Sequence, residues 1–290
     1  MACQALGQLG DKQAVEPLIK RLADPALRVR KAACEALRRL RDARAVKTLI
    51  QCLGDSNEGV RKAACEALVA FGQVAFEPLI ECLARSTWRV RATACEVLGQ
   101  LGDVRAVGPL IQRLADCDYF VQGAACEALG RLGDARALEP LIQRLSDRDS
   151  HVRWAACRAL EQLGDARAVE PIMQRLGDSE PYVREAACRA LGRLGDARAL
   201  EALVQRLEDS QWHVREAACE ALGRLGDARA VAPLIQRLED FDWCIRKAAC
   251  EALGQLGDPQ AVQPLLRSLH DSHAEVRRAA RKVLDKHGWR

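Results

Sequence analysis

The sequence predicts an all-α protein, a right-handed α-solenoid of nine two-helix repeats, each 30 or 31 residues long. The 290 residues are 49% hydrophobic, enough for a buried core, but only 4% aromatic. Ala, Leu, Glu, Arg and Gln outnumber the β-branched and aromatic residues, which favours helix over sheet. Cysteine recurs every 31 residues with one step of 30, and a fixed period of this length indicates stacked repeats. These ladder cysteines are Cys3, Cys34, Cys65, Cys95, Cys126, Cys157, Cys188, Cys219 and Cys250.

The repeat boundaries follow from aligning the segments around these cysteines. A half repeat, residues 1–10, comes first. Full repeats then begin at residues 11, 42, 73, 103, 134, 165, 196, 227 and 258. Neither helix of one repeat can bury its apolar stripe alone, whereas stacked neighbours can. We therefore expect residues 1–290 to form a single solenoid.

The fifth repeat shows how each element is predicted. Gly133 is a stop signal for the preceding helix, and Asp134 is an N-cap for the next. Helix A follows, with apolar residues at helical spacing. Pro140 lies inside that pattern, where it either kinks the first turn or marks the start of the regular helix. Residues 146–149 form a turn, and helix B then runs to Gly164. The apolar residues of the two helices are Leu138, Leu141, Ile142, Leu145, Val152, Ala156, Ala159, Leu160 and Leu163.

Two recurring segments resemble a known family. The segments Gly164–Ile172 and Asp178–Ala187 read G-D-A-R-A-V-E-P-I and D-S-E-P-Y-V-R-E-A-A. They resemble the short HEAT-like repeats of the phycobilisome-lyase type. The resemblance implies a solenoid fold over nearly the whole chain. It does not fix the function, because such repeats occur in lyases, scaffolds, sensors and artificial binders.

An Asp and an Arg six residues apart recur in most repeats, as in Asp178 and Arg184. In HEAT-like families such residues bridge the turn between helices A and B to helix B, often between neighbours. A structural role is favoured over an anion-binding row, because each of these arginines has a matching aspartate. Two repeats break the rule, with Arg85 at the Asp position and Gln122 at the Arg position. The 30-residue step falls in the first of these two repeats.

The remaining chemistry-bearing residues do not suggest an active site. Neighbouring ladder cysteines should lie about 8–10 Å apart, too far for a disulfide or a zinc site. No C-x-x-C, H-E-x-x-H, G-x-S-x-G or P-loop occurs, and His270 and His273 are read as turn residues. We therefore expect no catalytic residues, no cofactor and no metal. The many free thiols favour a reducing compartment, the cytoplasm. No apolar stretch is long enough to span a membrane.

The residues that vary between repeats predict where a partner binds. The most variable columns lie opposite the apolar arc of helix B, on the face that lines the concave groove of HEAT-like stacks. Seven of the 11 aromatic residues fall in these columns. Trp and Tyr often dominate binding energy at interfaces, so we expect a scaffold that binds a protein or peptide. The candidate partner-binding residues are Trp88, Tyr119, Phe120, His151, Trp154, Tyr182, Trp212, His213 and Trp243.

Other functions stay open at this stage. The resemblance alone suggests a bilin lyase or chaperone subunit, and the near-identity of the repeats suggests an engineered or excised array with no function of its own. Nucleic-acid binding is not expected. The net charge is +4, with basic ends and a mildly acidic middle instead of a continuous basic stripe. The uncharged segment Met1–Gly10 has no helix A of its own. Its Leu6 and Leu9 predict an end that frays or associates end-on with another copy.

Overall fold

The computed structural model describes residues 2–289, apart from the side chains of Ala2, Gln4, Leu9 and Arg85. The expectations that concern Met1 and the side chains of Leu9 and Arg85 therefore lie outside the described residues. Within this range the chain forms 19 α-helices and no strand. The predicted all-α repeat fold is confirmed, and each full repeat consists of helix A, a turn and helix B.

Helices A are short and helices B are longer. Helices A are α2 (Val15–Arg21), α4 (Val46–Cys52), α6 (Gln73–Arg85), α8 (Val107–Arg113), α10 (Leu138–Arg144), α12 (Val169–Met173), α14 (Leu200–Arg206), α16 (Val231–Arg237) and α18 (Val262–Ser268). Helices B are α1 (Ala2–Leu9), α3 (Leu27–Leu40), α5 (Glu58–Phe71), α7 (Trp88–Leu101), α9 (Tyr119–Leu132), α11 (Ser150–Leu163), α13 (Pro181–Leu194), α15 (Trp212–Leu225), α17 (Trp243–Leu256) and α19 (Ala274–His287). Helix α1 is the helix B of the half repeat.

Most helices A begin with a capped 3₁₀ turn. In the sixth repeat Asp165 is extended, and its carboxylate accepts a hydrogen bond of 2.9 Å from the backbone N–H of Arg167. The turn 166–168 leads into α12 at Val169, so Pro171 is the third helical residue. Its missing N–H falls among the donors that a helix start leaves unpaired, and no kink is needed. The shortened third repeat lacks the capping Asp. There α6 is one continuous helix of 13 residues.

Most helices B end at a glycine in the left-handed conformation, such as Gly164 with φ of 71°. This conformation lets the glycine N–H bond the carbonyl of Leu160, four residues back, at 3.1 Å. In the first full repeat Arg41 takes the same position with φ of 49°. It is the one residue other than glycine with a positive φ in the described chain.

Neighbouring helices B pack almost backbone to backbone. A Cβ atom built on Gly192 of α13 would lie 2.5 Å from the Cα of Ala221 in α15. Gly99 of α7 stands in the same relation to Ala128 of α9, at 2.8 Å. The apolar residues predicted for the core are buried on these helices, with Val183, Ala187 and Leu191 all 0% exposed. Glycine and alanine therefore allow the close approach at these two crossings.

The chain divides into two compact units, Met1–Pro140 and Leu141–Arg290. Each is a stack of the repeats described above, and the expectation of one continuous solenoid stays a prediction. No helix in residues 2–289 has both the length and the apolar character needed to cross a bilayer.

Candidate protein-binding site

The starts of helices B are held in place by an arginine that links two repeats. Arg184 of α13 donates Nε–H and Nη2–H to the two carboxylate oxygens of Asp209 in the next repeat, each at 2.8 Å. Its Nη1 also donates to the backbone carbonyl of Asp178 in its own repeat at 2.9 Å. Burial opposes the charge of Asp209, but the hydrogen bonds from Arg184 keep the pKa of this carboxyl below its usual value. The same carboxylate contacts join Arg30–Asp55, Arg91–Asp116, Arg153–Asp178, Arg215–Asp240 and Arg246–Asp271.

The two sequence irregularities each remove part of this arrangement. In the repeat alignment, Arg85 occupies the position of the aspartate that would pair with Arg61. In the described structure Arg61 donates to the carbonyls of Asp55 and Ser56, at 2.9 and 3.1 Å. Gln122 keeps the bond within its own repeat, because its Nε2 donates to the carbonyl of Asp116 at 2.6 Å. The structural role of the Asp and Arg columns therefore extends to neighbouring repeats, as the resemblance implies.

In the first unit three of the candidate aromatic residues form one cluster. Trp88 is the first residue of α7, and Tyr119 and Phe120 are the first two residues of α9. The rings of Trp88 and Phe120 stack with centroids 5.3 Å apart, and Tyr119 and Phe120 lie 4.2 Å apart. The guanidinium of Arg89 lies 4.8 Å from the centre of the Trp88 ring. The cluster spans two repeats and faces solvent on one side.

In the second unit the other candidates lie within the first five residues of helices B. Tyr182 is hydrogen-bonded through its hydroxyl to Ser150 of the preceding repeat. Trp243 stacks on His273 of the following repeat with centroids 4.0 Å apart. The remaining members make contacts within their own helices: His151 stacks on Trp154 at 5.4 Å, and Trp212 meets His213 edge-on at 5.7 Å. His273 also caps α19, where its ring accepts from the N–H of Glu275 at 3.4 Å. This fits the turn role predicted for this histidine.

These contacts leave much of the aromatic surface exposed. Packing on an adjacent turn accounts for part of each ring, but not for all of it. Valines one or two residues further along, such as Val121 and Val214, are 0% exposed. The exposed fractions are 38% for Trp88, 42% for Tyr119, 43% for Phe120, 38% for Tyr182, 49% for Trp212 and 42% for Trp243. Trp154, His151 and His213 are half-buried.

Charged side chains border the aromatic residues along helices B. Glu127 pairs with Arg131 at 3.5 Å, and Glu185 pairs with Arg189 at 2.9 Å. Burial raises the pKa of Glu96, and the charge of the nearby Glu127 raises it further. In the second unit Glu161, Arg189, Arg193, Glu220 and Arg224 line a shallow depression of about 490 Å³. The border is mixed in sign, so electrostatics alone does not select a partner.

Sequence reasoning missed one residue of this region, Phe241. It lies in the turn before α17 between Asp240 and Asp242 and is 82% exposed. Its ring covers the buried Arg215, whose Cζ lies 4.7 Å from the ring centre. It also lines a depression of about 870 Å³. The repeat alignment could have singled out Phe241, because the same column contains serine in five other repeats: Ser56, Ser86, Ser179, Ser210 and Ser272.

The thirteen cysteines are all free. Burial raises the pKa of Cys65 and of Cys157 to about 12. A group of three or more histidine, cysteine or acidic side chains able to hold a metal ion does not occur among the described residues.

Stacked pairs of antiparallel helices, linked from repeat to repeat by arginine and aspartate, define a helical-repeat protein. The HEAT repeat family matches residues 1–69, 22–89, 76–150, 138–214 and 201–285. The chain therefore belongs to the HEAT repeat family. No curated protein matches the sequence.

Several solved structures share the fold. An engineered protein is 22% identical, with 99% of this chain and 94% of that chain covered and a TM-score of 0.58. The Escherichia coli protein YibA is 21% identical, with 85% and 95% covered and a TM-score of 0.66. Kap95p, whose binding induces the switch loops of RanGDP to adopt the GTP-bound conformation, is 14% identical with a TM-score of 0.69. The alignment with Kap95p covers 99% of this chain and 47% of that one. At these identities the likeness is one of fold.

Proposed function

We propose that this HEAT-repeat protein is a non-enzymatic scaffold that binds a protein or peptide along its helix-B side. The observation that carries the proposal is the exposure of six aromatic side chains at the starts of five helices B, α7, α9, α13, α15 and α17, each 38–49% exposed. Aromatic residues that stay exposed in neighbouring repeats mark an interaction surface more often than scattered ones do. Kap95p supports the proposal as an example of this fold that binds a protein.

We infer that the helix-B side is the concave side of each unit. Neighbouring helices B approach one another backbone to backbone, as Gly192 and Ala221 do. Contacts between neighbouring helices A are sparser. A stack whose elements are closer on one side curves toward that side, and the resulting groove suits an extended or helical segment.

Two finer assignments accompany the proposal. The segments around Gly164 and Asp178 favour the phycobilisome-lyase type of repeat, but this similarity concerns the repeat and does not by itself favour a role in handling bilins. Thirteen free thiols favour the cytoplasm as the location.

The proposal is tested by selecting peptides from a displayed random library on the wild-type protein and measuring their affinity for variants. Trp88→Ala with Phe120→Ala removes the cluster of the first unit, and Trp212→Ala with Trp243→Ala removes exposed rings of the second. The matched control is Val74→Ala with Val104→Ala, because these valines are 53% and 52% exposed but belong to the helix-A side. Circular dichroism verifies that each variant is folded.

We expect at least one aromatic double variant to weaken binding by roughly tenfold or more, since hot-spot residues contribute about 2 kcal/mol or more each. The control should bind like the wild type. Peptides that bind all variants equally, or that lose as much affinity with the valine control, would show that the aromatic surface is not the binding site.

A further inference from the structure

The turn between α16 and α17 carries the most exposed aromatic ring among the described residues. Phe241 is 82% exposed, whereas the exposed aromatic residues that begin helices B are 38–49% exposed. Serine fills the same column in five other repeats, so the fold does not require an aromatic residue at this place. The ring of Phe241 is therefore available to contact another molecule.

The structure holds this ring in place. The guanidinium of the buried Arg215 lies 4.7 Å from the ring centre. Its Nε and Nη2 donate to the carboxylate of Asp240 at 3.2 Å, and Nη2 also donates to Asp242 at 2.6 Å. The backbone carbonyl of Phe241 accepts a hydrogen bond of 3.2 Å from Nη1 of Arg246. A ring fixed in this way loses little conformational freedom when a ligand binds.

Two exposed glutamates line the same depression of about 870 Å³ as Phe241. Glu208 pairs with Arg237 at 2.9 Å, whereas Glu239 has no ion pair within residues 2–289. Glutamate precedes the aspartate of the turn only in these two neighbouring repeats. The other repeats have small residues or histidine in this column: Ala23, Gly54, Ala84, Ala115, Ser146, Gly177 and His270.

The charges of the depression complement a cation. Both arginines that line it, Arg215 and Arg237, are already bonded to carboxylates. The carboxylate of Glu239 is left without a counterion, and one face of the Phe241 ring is open to solvent. A guanidinium is planar and charged, so it stacks on an aromatic face and donates two hydrogen bonds to a carboxylate. A phosphate or a carboxylate would be repelled by the acidic lining.

We propose that this depression binds an arginine side chain of a partner peptide, with the guanidinium stacked on the open face of Phe241 and paired with Glu239. The site lies beside the turns that precede α15 and α17 and is not lined by the aromatic residues that begin helices B. It is therefore a second binding site, and its test does not depend on the scaffold proposal.

The test titrates the isotopically labelled full chain with a short peptide and follows the backbone amide signals by NMR. The probe is acetyl-Gly-Leu-Arg-Leu-Gly-amide, whose only charge is that of the arginine. We expect saturable shifts at residues 239–242. The same peptide with citrulline, which keeps the shape of arginine but has no charge, should bind at least about tenfold more weakly, because both the ring and the carboxylate contact are weakened. The lysine peptide should lie between the two.

Three substitutions test the assigned contacts. Phe241→Ser introduces the residue of five other repeats and should weaken binding of the arginine peptide by about fivefold or more. Phe241→Tyr keeps an aromatic face and should bind like the wild type. Glu239→Gln should weaken binding by about two- to fivefold, as is usual for an exposed ion pair. Glu201→Gln is the matched control, because this exposed glutamate of α14 does not line the depression.

Three results would overturn the proposal. The first is the absence of saturable shifts at residues 239–242 with the arginine peptide. The second is equal affinity of the arginine and citrulline peptides, which would show that charge is not recognised. The third is equal affinity of the wild type and Phe241→Ser, which would place the binding of the peptide elsewhere on the chain.

Discussion

At the scale of single residues, the stack is joined by arginines that serve two repeats at once. Arg184 binds a carboxylate of the next repeat with Nε and Nη2 and a backbone carbonyl of its own repeat with Nη1. Only a planar group with several fixed donors makes these contacts together, so lysine could not replace it. Both partners are largely buried, with side-chain exposures of 12% for Arg184 and 5% for Asp209.

Arg184→Ala should therefore destabilise the protein strongly. Removing one member of a buried ion pair leaves the other charge buried without its counterion, which costs about 3–5 kcal/mol. We expect the free energy of unfolding in urea to fall by about 2–4 kcal/mol, somewhat less than that range because water can reach the vacated space.

Arg277→Ala is the matched control. Arg277 donates to the carbonyls of Asp271 and Ser272, at 2.7 and 2.9 Å, but among the described residues it has no carboxylate partner. Its loss should cost about 1 kcal/mol or less, the usual contribution of exposed hydrogen bonds. Equal losses for the two variants would show that the contact between repeats does not stabilise the stack.

The sequence was enough to predict which residues lie in the core. Most side-chain contacts between repeats could not be predicted from it. The columns of Val183 and Leu191 are buried because their spacing follows the helix period. The stacking of Trp243 on His273 of the next repeat depends on how one repeat is offset from the next, and an alignment of repeats does not contain that offset. Phe241 was missed because it lies in a turn, where only a comparison with the serines of the same column in other repeats could have shown that a large apolar residue is unusual.

At the scale of elements, several close crossings between helices B use a glycine in the last turn of the first helix. A side chain at Gly192 would meet the backbone of Ala221. Val69 takes this position in α5, and contacts between α5 and α7 are sparser than those between α7 and α9, where Gly99 meets Ala128. At this pair of helices the larger residue coincides with looser packing.

Gly192→Ala should lower stability although alanine is the better helix former. The forced separation of α13 and α15 costs about 1–3 kcal/mol, and the gain in helix propensity is about 1 kcal/mol. We expect a net loss of about 1 kcal/mol in the free energy of urea unfolding. Gly108→Ala is the control, because nothing lies within 4 Å of a Cβ added there. It should be neutral or stabilising, and a gain in stability from Gly192→Ala would contradict the packing described here.

The sequence predicted the order of the elements but left the start of helix A open. The proline of helix A allowed either a kink or a helix start. The structure shows a helix start, because a 3₁₀ turn precedes the first helical residue, as it does before Val169. The continuous helix α6 was not predictable from the repeat pattern. It follows from the loss of the capping aspartate in the shortened third repeat.

At the scale of the whole molecule, repetition separates the residues that build the stack from those that are free to vary. The apolar, glycine and Asp–Arg columns hold helices B in position, while the first residues of α7, α9, α13, α15 and α17 present different aromatic side chains to solvent. The two compact units each carry part of this aromatic surface. A stack of this kind can change its partner without changing its core, which is the physical basis for proposing a scaffold.

The most direct test of the scaffold proposal is hydroxyl-radical footprinting of the protein alone and saturated with a peptide selected for binding. We expect the peptide to protect exposed aromatic residues at the starts of helices B, such as Trp88, Phe120, Trp212 or Trp243. Val74 and Val104 on the helix-A side should be oxidised equally in both samples. Protection confined to the helix-A side, with unchanged oxidation of the aromatic residues at saturating peptide, would contradict the proposed binding surface.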